Sequence, residues 1–193
     1  MNAAERAPYL EAGDVALIPL GFKRKKKEFM WRRAVDSDIE WIHLNFGKGM
    51  IGPSYGVHYA DLERLFPPDL GVRGGPWCLL EHLTGTSYSS STTPPDVVAR
   101  DLLIAVEELR ALSDRQGYTD VLMSEQRPRK FVVLTVDRIR MLPVLLASFG
   151  RFKEAFTWLA RFELLAKESD QMVPPYEAFA AHFRATYESK KEA

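Results

Sequence analysis

The sequence predicts an α+β protein in which an antiparallel meander of four to five strands packs against helices from the C-terminal half, including an αα-hairpin. Three observations predict this class. Residues 29–46 read as a β-hairpin, further strand-like runs follow as far as residue 83, and runs with helical spacing fill most of the remainder. The length of 193 residues suits a single globular domain over 1–193.

Charge and cysteine content narrow the function classes. The 26 basic and 26 acidic residues give a net charge of zero, which argues against a dedicated nucleic-acid or membrane-surface binder. The single cysteine, Cys78, excludes an intrachain disulfide and a cysteine-based zinc site. The N-terminus is too charged for a signal peptide and no apolar run reaches membrane-spanning length, so the expected compartment is the cytoplasm.

The first predicted elements are a short helix and a basic run. Residues 9–22 favour a helix that ends at Gly21, with an apolar side formed by Leu10, Val15, Leu17, Ile18 and Leu20. Five basic residues follow it: Lys23, Arg24, Lys25, Lys26 and Lys27. The run reads either as a phosphate- or acid-binding patch or as a solvated segment that protects a sheet edge. The second interpretation is favoured because the chain has no overall basic excess.

The hairpin organises the predicted sheet. A two-residue turn at Asp36-Ser37 pairs Val35 with Asp38 and Arg33 with Glu40. Alternate side chains of a strand point to opposite faces. The predicted core face therefore carries Phe29, Trp31, Ile42, Leu44 and Phe46. The opposite face carries Met30, Arg32, Trp41, His43 and Asn45.

Two more strands and two loops complete the predicted meander. Residues 47–53 read as a loop, and the next strand has Tyr55, Val57 and Tyr59 on one face with His58 on the other. Residues 77–83 favour a fourth strand, and residues 84–95 read as an exposed, mobile loop.

The second half is predominantly helical. A helix is predicted from Pro95-Asp96 to Gly117, with a core stripe of Val98, Leu102, Ala105, Val106, Leu109 and Leu112. Residues 119–125 favour a helical turn, and residues 131–136 favour either a strand or the entry to the next helix. Residues 145–167 predict two helices that meet at Gly150. A last helix after Pro174-Pro175 has an aromatic stripe formed by Tyr176, Phe179, Phe183 and Tyr187.

No catalytic, cofactor or metal motif stands out. The four histidines are not at metal-ligand spacing. If their strands are neighbours, His43 and His58 would line a ligand- or metal-binding pocket with Trp41 and Tyr55. Cys78 and His82 lie four residues apart, which is about 13 Å along a strand, so a thiol nucleophile is not favoured.

The leading hypothesis is a non-enzymatic binding protein that acts through a protein–protein interface. Aromatic and arginine side chains are enriched at interface hot spots, and the second hairpin face combines both types. The alternative is that helices cover this face, which then forms part of a second core. A small enzyme or ligand-binding protein, and RNA binding through residues 23–27 with Trp31, are the weaker alternatives. The pattern specifies neither the partner nor the oligomeric state.

The segment Leu20, Gly21, Phe22, Lys23 and Arg24, together with the hairpin, resembles the opening of a bacterial domain family of unknown function. Members of that family begin with a Leu-Gly-Phe-Lys-like motif followed by an antiparallel meander. The resemblance covers about a quarter of the chain. It implies a small cytoplasmic bacterial α+β protein and transfers no functional residues. By analogy with similar small domains, it also suggests an immunity or accessory role beside a toxin.

Overall fold

The order of helices and strands confirms the predicted α+β class. The computed structural model describes residues 1–63, 74–124, 135–167 and 173–190. Its strands are β1 (Lys23–Arg24), β2 (Met30–Val35), β3 (Asp38–Gly47), β4 (Met50–Tyr59), β5 (Trp77–Leu79) and β6 (Tyr88–Ser89). Its helices are α1 (Ala3–Leu17), α2 (Ala60–Glu63), α3 (Glu81–Thr84), α4 (Pro95–Leu112), α5 (Arg115–Met123), α6 (Thr135–Ser148), α7 (Phe152–Lys167) and α8 (Val173–Tyr187).

The described residues divide into two compact units. Met1–His58 and Pro76–Asp114 belong to the first unit, which contains most of the sheet, α1 and α4. The second unit contains α2 and α5 to α8. The single domain over 1–193 stays a prediction.

The sheet is an antiparallel meander with strand order β1-β2-β3-β4-β5, and β6 also pairs with β4. The predicted hairpin register is confirmed, with Trp31 opposite Ile42 and Arg33 opposite Glu40. Asp36 takes the first turn position with a φ of 51°, a left-handed conformation that aspartate tolerates better than most residues.

The core face of the sheet is the predicted one. Trp31, Ile42 and Leu44 are completely buried. Helix α1 lies over Trp31, and α4 packs against α1 and β3. A β-carbon at Gly13 would stand 2.6 Å from the Trp31 ring, so the absence of a side chain at Gly13 allows the helix to approach the indole this closely.

The first helix differs from the prediction in extent and in its buried side. It begins at Ala3 behind an Asn2–Glu5 capping box, and its buried positions are Tyr9, Gly13 and Leu17. Three residues of the predicted apolar side, Val15, Ile18 and Leu20, are exposed. The predicted end is close to the observed one, because a 3-10 turn over Ile18–Leu20 stops at Gly21 with a φ of 86°.

Three segments around β4 also differ from the prediction. Strand β4 already begins at Met50, so the predicted loop over 47–53 is reduced to a tight turn at Lys48 and Gly49. The predicted fourth strand ends at Leu79, and the chain continues into α3. The predicted mobile loop over 84–95 contains β6 with a buried Tyr88.

Helix α4 has the predicted start and nearly the predicted stripe, with Val98, Leu102, Ala105, Leu109 and Leu112 buried. It ends at Leu112 and not at Gly117, because a separate helix α5 runs through that glycine. The prediction left open for residues 131–136 falls mostly outside the described residues, and Thr135 opens α6.

The second unit contains the predicted αα-hairpin. Helices α6 and α7 pack against each other on either side of Gly150, which has a φ of 76°. Ala147 and Ala155 are buried. Helix α8 packs on both helices. It buries its predicted aromatic stripe, Tyr176, Phe179, Phe183 and Tyr187.

Candidate functional site

One row of side chains crosses five strands on the face opposite the core. Lys23 pairs with Arg32, Arg32 pairs with Trp41, and Gly56 pairs with Trp77. A β-carbon at Gly56 would stand 2.7 Å from the Trp41 ring, which places Trp41 over Gly56 on the same face. We call this surface the tryptophan face, and it consists of Lys23, Arg32, Trp41, Gly56 and Trp77 together with Met30 and His43.

The local sequence explains why these residues share a face. Strand alternation places Met30 and Arg32 on one side of β2 and Trp31 on the other. Gly56 leaves room for the indole of Trp41 on the neighbouring strand, since any side chain there would overlap the ring. The row spans about 19 Å, because neighbouring strands lie about 4.8 Å apart.

The face is aromatic toward β4 and β5 and basic toward β1. Trp41, Trp77, His43 and Met30 are half-buried, and the Arg32 side chain is 43% exposed. Arg32 donates a hydrogen bond to Glu28, which holds the pKa of that carboxyl below its ordinary value. Close to the same edge, three lysines of the turn before β2 are exposed: Lys25, Lys26 and Lys27.

The predicted histidine pocket is not assembled. Asn45 lies beside Gly52 and Trp41 beside Gly56, so Ser54 stands opposite His43, four residues before His58. The two histidines share a face but lie about 13 Å apart along the strands. Tyr55 points to the core face, where it pairs with Cys78.

Tyr55 and Cys78 form a buried pair. They lie opposite each other on β4 and β5, and they are 3% and 1% exposed. Burial raises the pKa of the Tyr55 hydroxyl well above its ordinary value. His82 lies on α3 and not on a strand with Cys78, so the strand-based separation of these two residues does not apply. Cys78 is a free cysteine in the buried core.

The basic run is only partly available for binding. Arg24 forms an ion pair with Asp14, and its Nε donates to Asp14 Oδ1 at 2.9 Å. Trp31 is completely buried and donates its indole N–H to the same carboxylate at 2.7 Å. A base therefore cannot stack on Trp31, which removes the aromatic part of the RNA-binding hypothesis.

A charged cleft of about 740 Å³ lies where the hairpin end meets α4. It is lined by Arg33, Val35, Glu40, Val106, Glu107 and Arg110. Glu40 is 4% exposed and accepts from Arg33 Nε and Nη2 at 2.9 and 2.6 Å. The opposite-charge pair predicted for the hairpin is thus a largely buried ion pair in the wall of this cleft.

Sequence reasoning missed Trp77 and Gly56 as parts of the tryptophan face. The signal for Trp77 was its alternation with Cys78 in the strand Trp77–Leu79. Its side was not assigned because the pairing of β5 with β4 joins segments about 20 residues apart, which no local pattern specifies.

Two features are absent from the described ranges (1–63, 74–124, 135–167 and 173–190), namely a metal-binding cluster and a membrane-spanning helix. These ranges contain no group of three or more histidine, cysteine, aspartate or glutamate side chains placed to hold a metal ion. Within the same ranges, no helix has both the length and the apolar character needed to cross a bilayer.

Comparison of the chain with known protein families, with curated proteins and with solved structures finds no match. The resemblance of the segment from Leu20 to Arg24 to a bacterial domain family therefore stays a prediction.

Proposed function

We propose that this protein is a non-enzymatic cytoplasmic binding protein that holds a protein partner on its tryptophan face. The observation that carries the proposal is the cross-strand row of Lys23, Arg32, Trp41 and Trp77. Tryptophan and arginine are the residue types that most often dominate binding energy at interfaces. Here they stand side by side on a rigid sheet.

The close packing of the Trp41 ring on Gly56 supports this proposal. The ring is confined by the sheet beneath it, yet it remains partly exposed. A side chain that is already held in one orientation loses little conformational entropy when a partner covers it. A fixed, half-exposed indole is therefore a better anchor than a mobile one.

The charge distribution indicates the chemistry of the partner. Lys23 and Arg32 place positive charge at the β1 side, and exposed lysines lie in the adjoining turn. A complementary partner presents carboxylates toward β1 and an apolar patch toward Trp41 and Trp77. An immunity-type protein that covers the acidic surface of a toxin is one specific form of this function.

Affinity capture from the cells that encode the chain tests the proposal. Wild type, Arg32→Glu and Lys153→Glu are immobilised at equal density, and retained proteins are identified by mass spectrometry. Lys153 is an exposed lysine on α7, so Lys153→Glu makes the same charge change outside the tryptophan face. We expect wild type and K153E to retain the same protein in near-stoichiometric amount and R32E to lose it.

Two results would overturn the proposal: no protein retained by wild type, or a partner retained equally by R32E. For a recovered partner, calorimetric titration at increasing salt supplies the second test. Affinity should fall as salt rises, because exposed charges at the edge of an interface are screened.

A further inference from the structure

The outer side of α4 carries a charge pattern that is complementary to itself. The side chains that point away from the core read, in chain order, acidic, basic, apolar, apolar, acidic and basic: Asp96, Arg100, Leu103, Ile104, Glu107 and Arg110. All six are exposed, with Leu103 at 40% and Ile104 at 39%. Read from the opposite end, the same face has the opposite charge at each charged position.

We propose that two copies of this chain associate through this face, with the two α4 helices antiparallel and the two-fold axis between Leu103 and Ile104. Leu103 then meets Ile104 of the second copy, and Arg100 meets Glu107 of the second copy. One turn further out, Asp96 comes level with Arg110 of the second copy, within about one residue. A parallel arrangement would instead place Arg100 against Arg100.

Arg100 is held in position for this contact. Its Nε and Nη2 donate to Asp101 Oδ1 at 3.0 and 2.9 Å, and its side chain is 69% exposed. Asp101 is buried and accepts a hydrogen bond from the Tyr88 hydroxyl at 3.1 Å. The guanidinium is therefore fixed from below while its remaining N–H groups can donate to a carboxylate of the second copy.

Helix α1 extends the apolar part of the surface. The Tyr9 hydroxyl donates to the Thr93 carbonyl, which lies just before α4. The Leu20 carbonyl accepts from Arg33 Nη1, and Arg33 lines the charged cleft together with Arg110 of α4. Helix α1 therefore runs alongside α4 in the same direction, which brings its exposed Val15 and Ile18 to about the level of Leu103. The net charge of zero adds no long-range repulsion between copies.

Sedimentation velocity over about 1 µM to about 1 mM protein tests the association, since one helix face supports only a weak dimer. We expect wild type to dimerise with rising concentration, and E107R and R100E each to raise the dissociation constant about tenfold or more. An equimolar mixture of E107R and R100E should dimerise again, because each charge then faces its opposite. Thermal melts establish that each variant is folded.

Cysteine cross-linking tests the axis without changing a charge. Leu103→Cys lies beside the axis, whereas Ala111→Cys lies about 22 Å from its counterpart in an antiparallel pair. We expect mild oxidation to link L103C into a covalent dimer and to leave A111C monomeric. The native Cys78 is buried, so it does not compete.

A wild type that stays monomeric over the whole concentration range would overturn the proposal. Unchanged dimerisation of E107R, or equal cross-linking of L103C and A111C, would also do so. The association is independent of the proposed function, because R32E should dimerise like wild type and E107R should keep the partner that R32E loses.

Discussion

The two faces of the sheet each carry a tryptophan from the same hairpin, and each tryptophan lies against a glycine. On the core face, Trp31 packs under Gly13 of α1, is completely buried and donates its indole N–H to Asp14. On the tryptophan face, Trp41 packs over Gly56 of the adjacent strand and keeps part of its ring exposed.

The difference lies in what covers each ring. Gly13 allows helix α1 to pack directly on the Trp31 ring, so that ring becomes part of the core. Gly56 leaves space for the Trp41 ring on the neighbouring strand, and part of that ring stays exposed. The same residue pair therefore stabilises the fold on one face and fixes a platform on the other.

Truncating the two tryptophans should separate the faces most strongly. We expect Trp31→Ala to lower the free energy of unfolding by about 4 kcal/mol, because it empties a buried site and removes a donor from Asp14. Trp41→Ala should lower it by about 1–2 kcal/mol, since the ring is only half-buried. Urea unfolding followed by circular dichroism measures both values. Equal losses would contradict the assignment of Trp41 to a surface role.

Arg33 and Arg32, which are neighbours on β2, allow a buried ion pair to be compared with an exposed one. Arg33→Ala leaves the buried carboxylate of Glu40 without its partner, and we expect a loss of about 3 kcal/mol. Arg32→Ala removes an exposed ion pair with Glu28 and should change stability by less than about 0.5 kcal/mol. Urea midpoints give the two values. The double variant R33M/E40L should recover most of the R33A loss, and a failure to do so would show that the charges themselves are needed there.

Replacing Gly13 or Gly56 with alanine tests how closely each glycine packs against its tryptophan. We expect Gly56→Ala to cost about 2 kcal/mol, because its β-carbon would stand 2.5 Å from the Pro76 carbonyl oxygen, a backbone atom. For Gly13→Ala the nearest atoms to the new β-carbon belong to the Trp31 side chain and not to the backbone, and alanine regains about 1 kcal/mol of helix propensity, so the net loss should be smaller. Thermal and urea unfolding rank the two. A larger loss for G13A would mean that α1 cannot shift over Trp31.

The hairpin and helix α1 show which features the sequence pattern predicts and which it misses. Hairpin register was predictable because the turn and the alternation are both local, as the pairing of Trp31 with Ile42 confirms. The buried side of α1 was not predictable from hydrophobicity, because its central position is Gly13. Val15 and Ile18 carry the stronger apolar signal, yet both are exposed.

Long-range pairing accounts for the remaining differences. Tyr88 looks like part of a polar loop, but β6 pairs with β4 and the Tyr88 hydroxyl binds Asp101 on α4. Of the tryptophan face, the β2 and β3 side chains follow from the hairpin alone. Trp77 joins them only through the pairing of β5 with β4, which short-range patterns do not specify.

The carboxylate of Asp14 accepts hydrogen bonds from both Trp31 and Arg24. Its protonation should have the smallest effect on stability. Hydrogen bonds from Arg24 and Trp31 hold the pKa of Asp14 below its ordinary value of 3.8. The folded state therefore binds fewer protons than the unfolded state near that pH, so this stabilisation is present above pH 4 or so and is lost as pH falls through the folded pKa. At neutral pH we expect Asp14→Asn to cost about 1 kcal/mol, because its amide oxygen still accepts from Trp31 while the charge opposite Arg24 is gone.

Urea midpoints of wild type and D14N between about pH 7 and about pH 2 check this expectation. The gap between the two proteins should be constant near neutrality and should narrow as the Asp14 carboxyl is protonated. A gap that persists to the acid end would mean that Asp14 acts through shape and not through charge. In that case the packing of α1 on Trp31 would depend on the fit of Gly13 alone, and the two tryptophans would differ only in the element that supplies the facing glycine, a helix for Trp31 and a strand for Trp41.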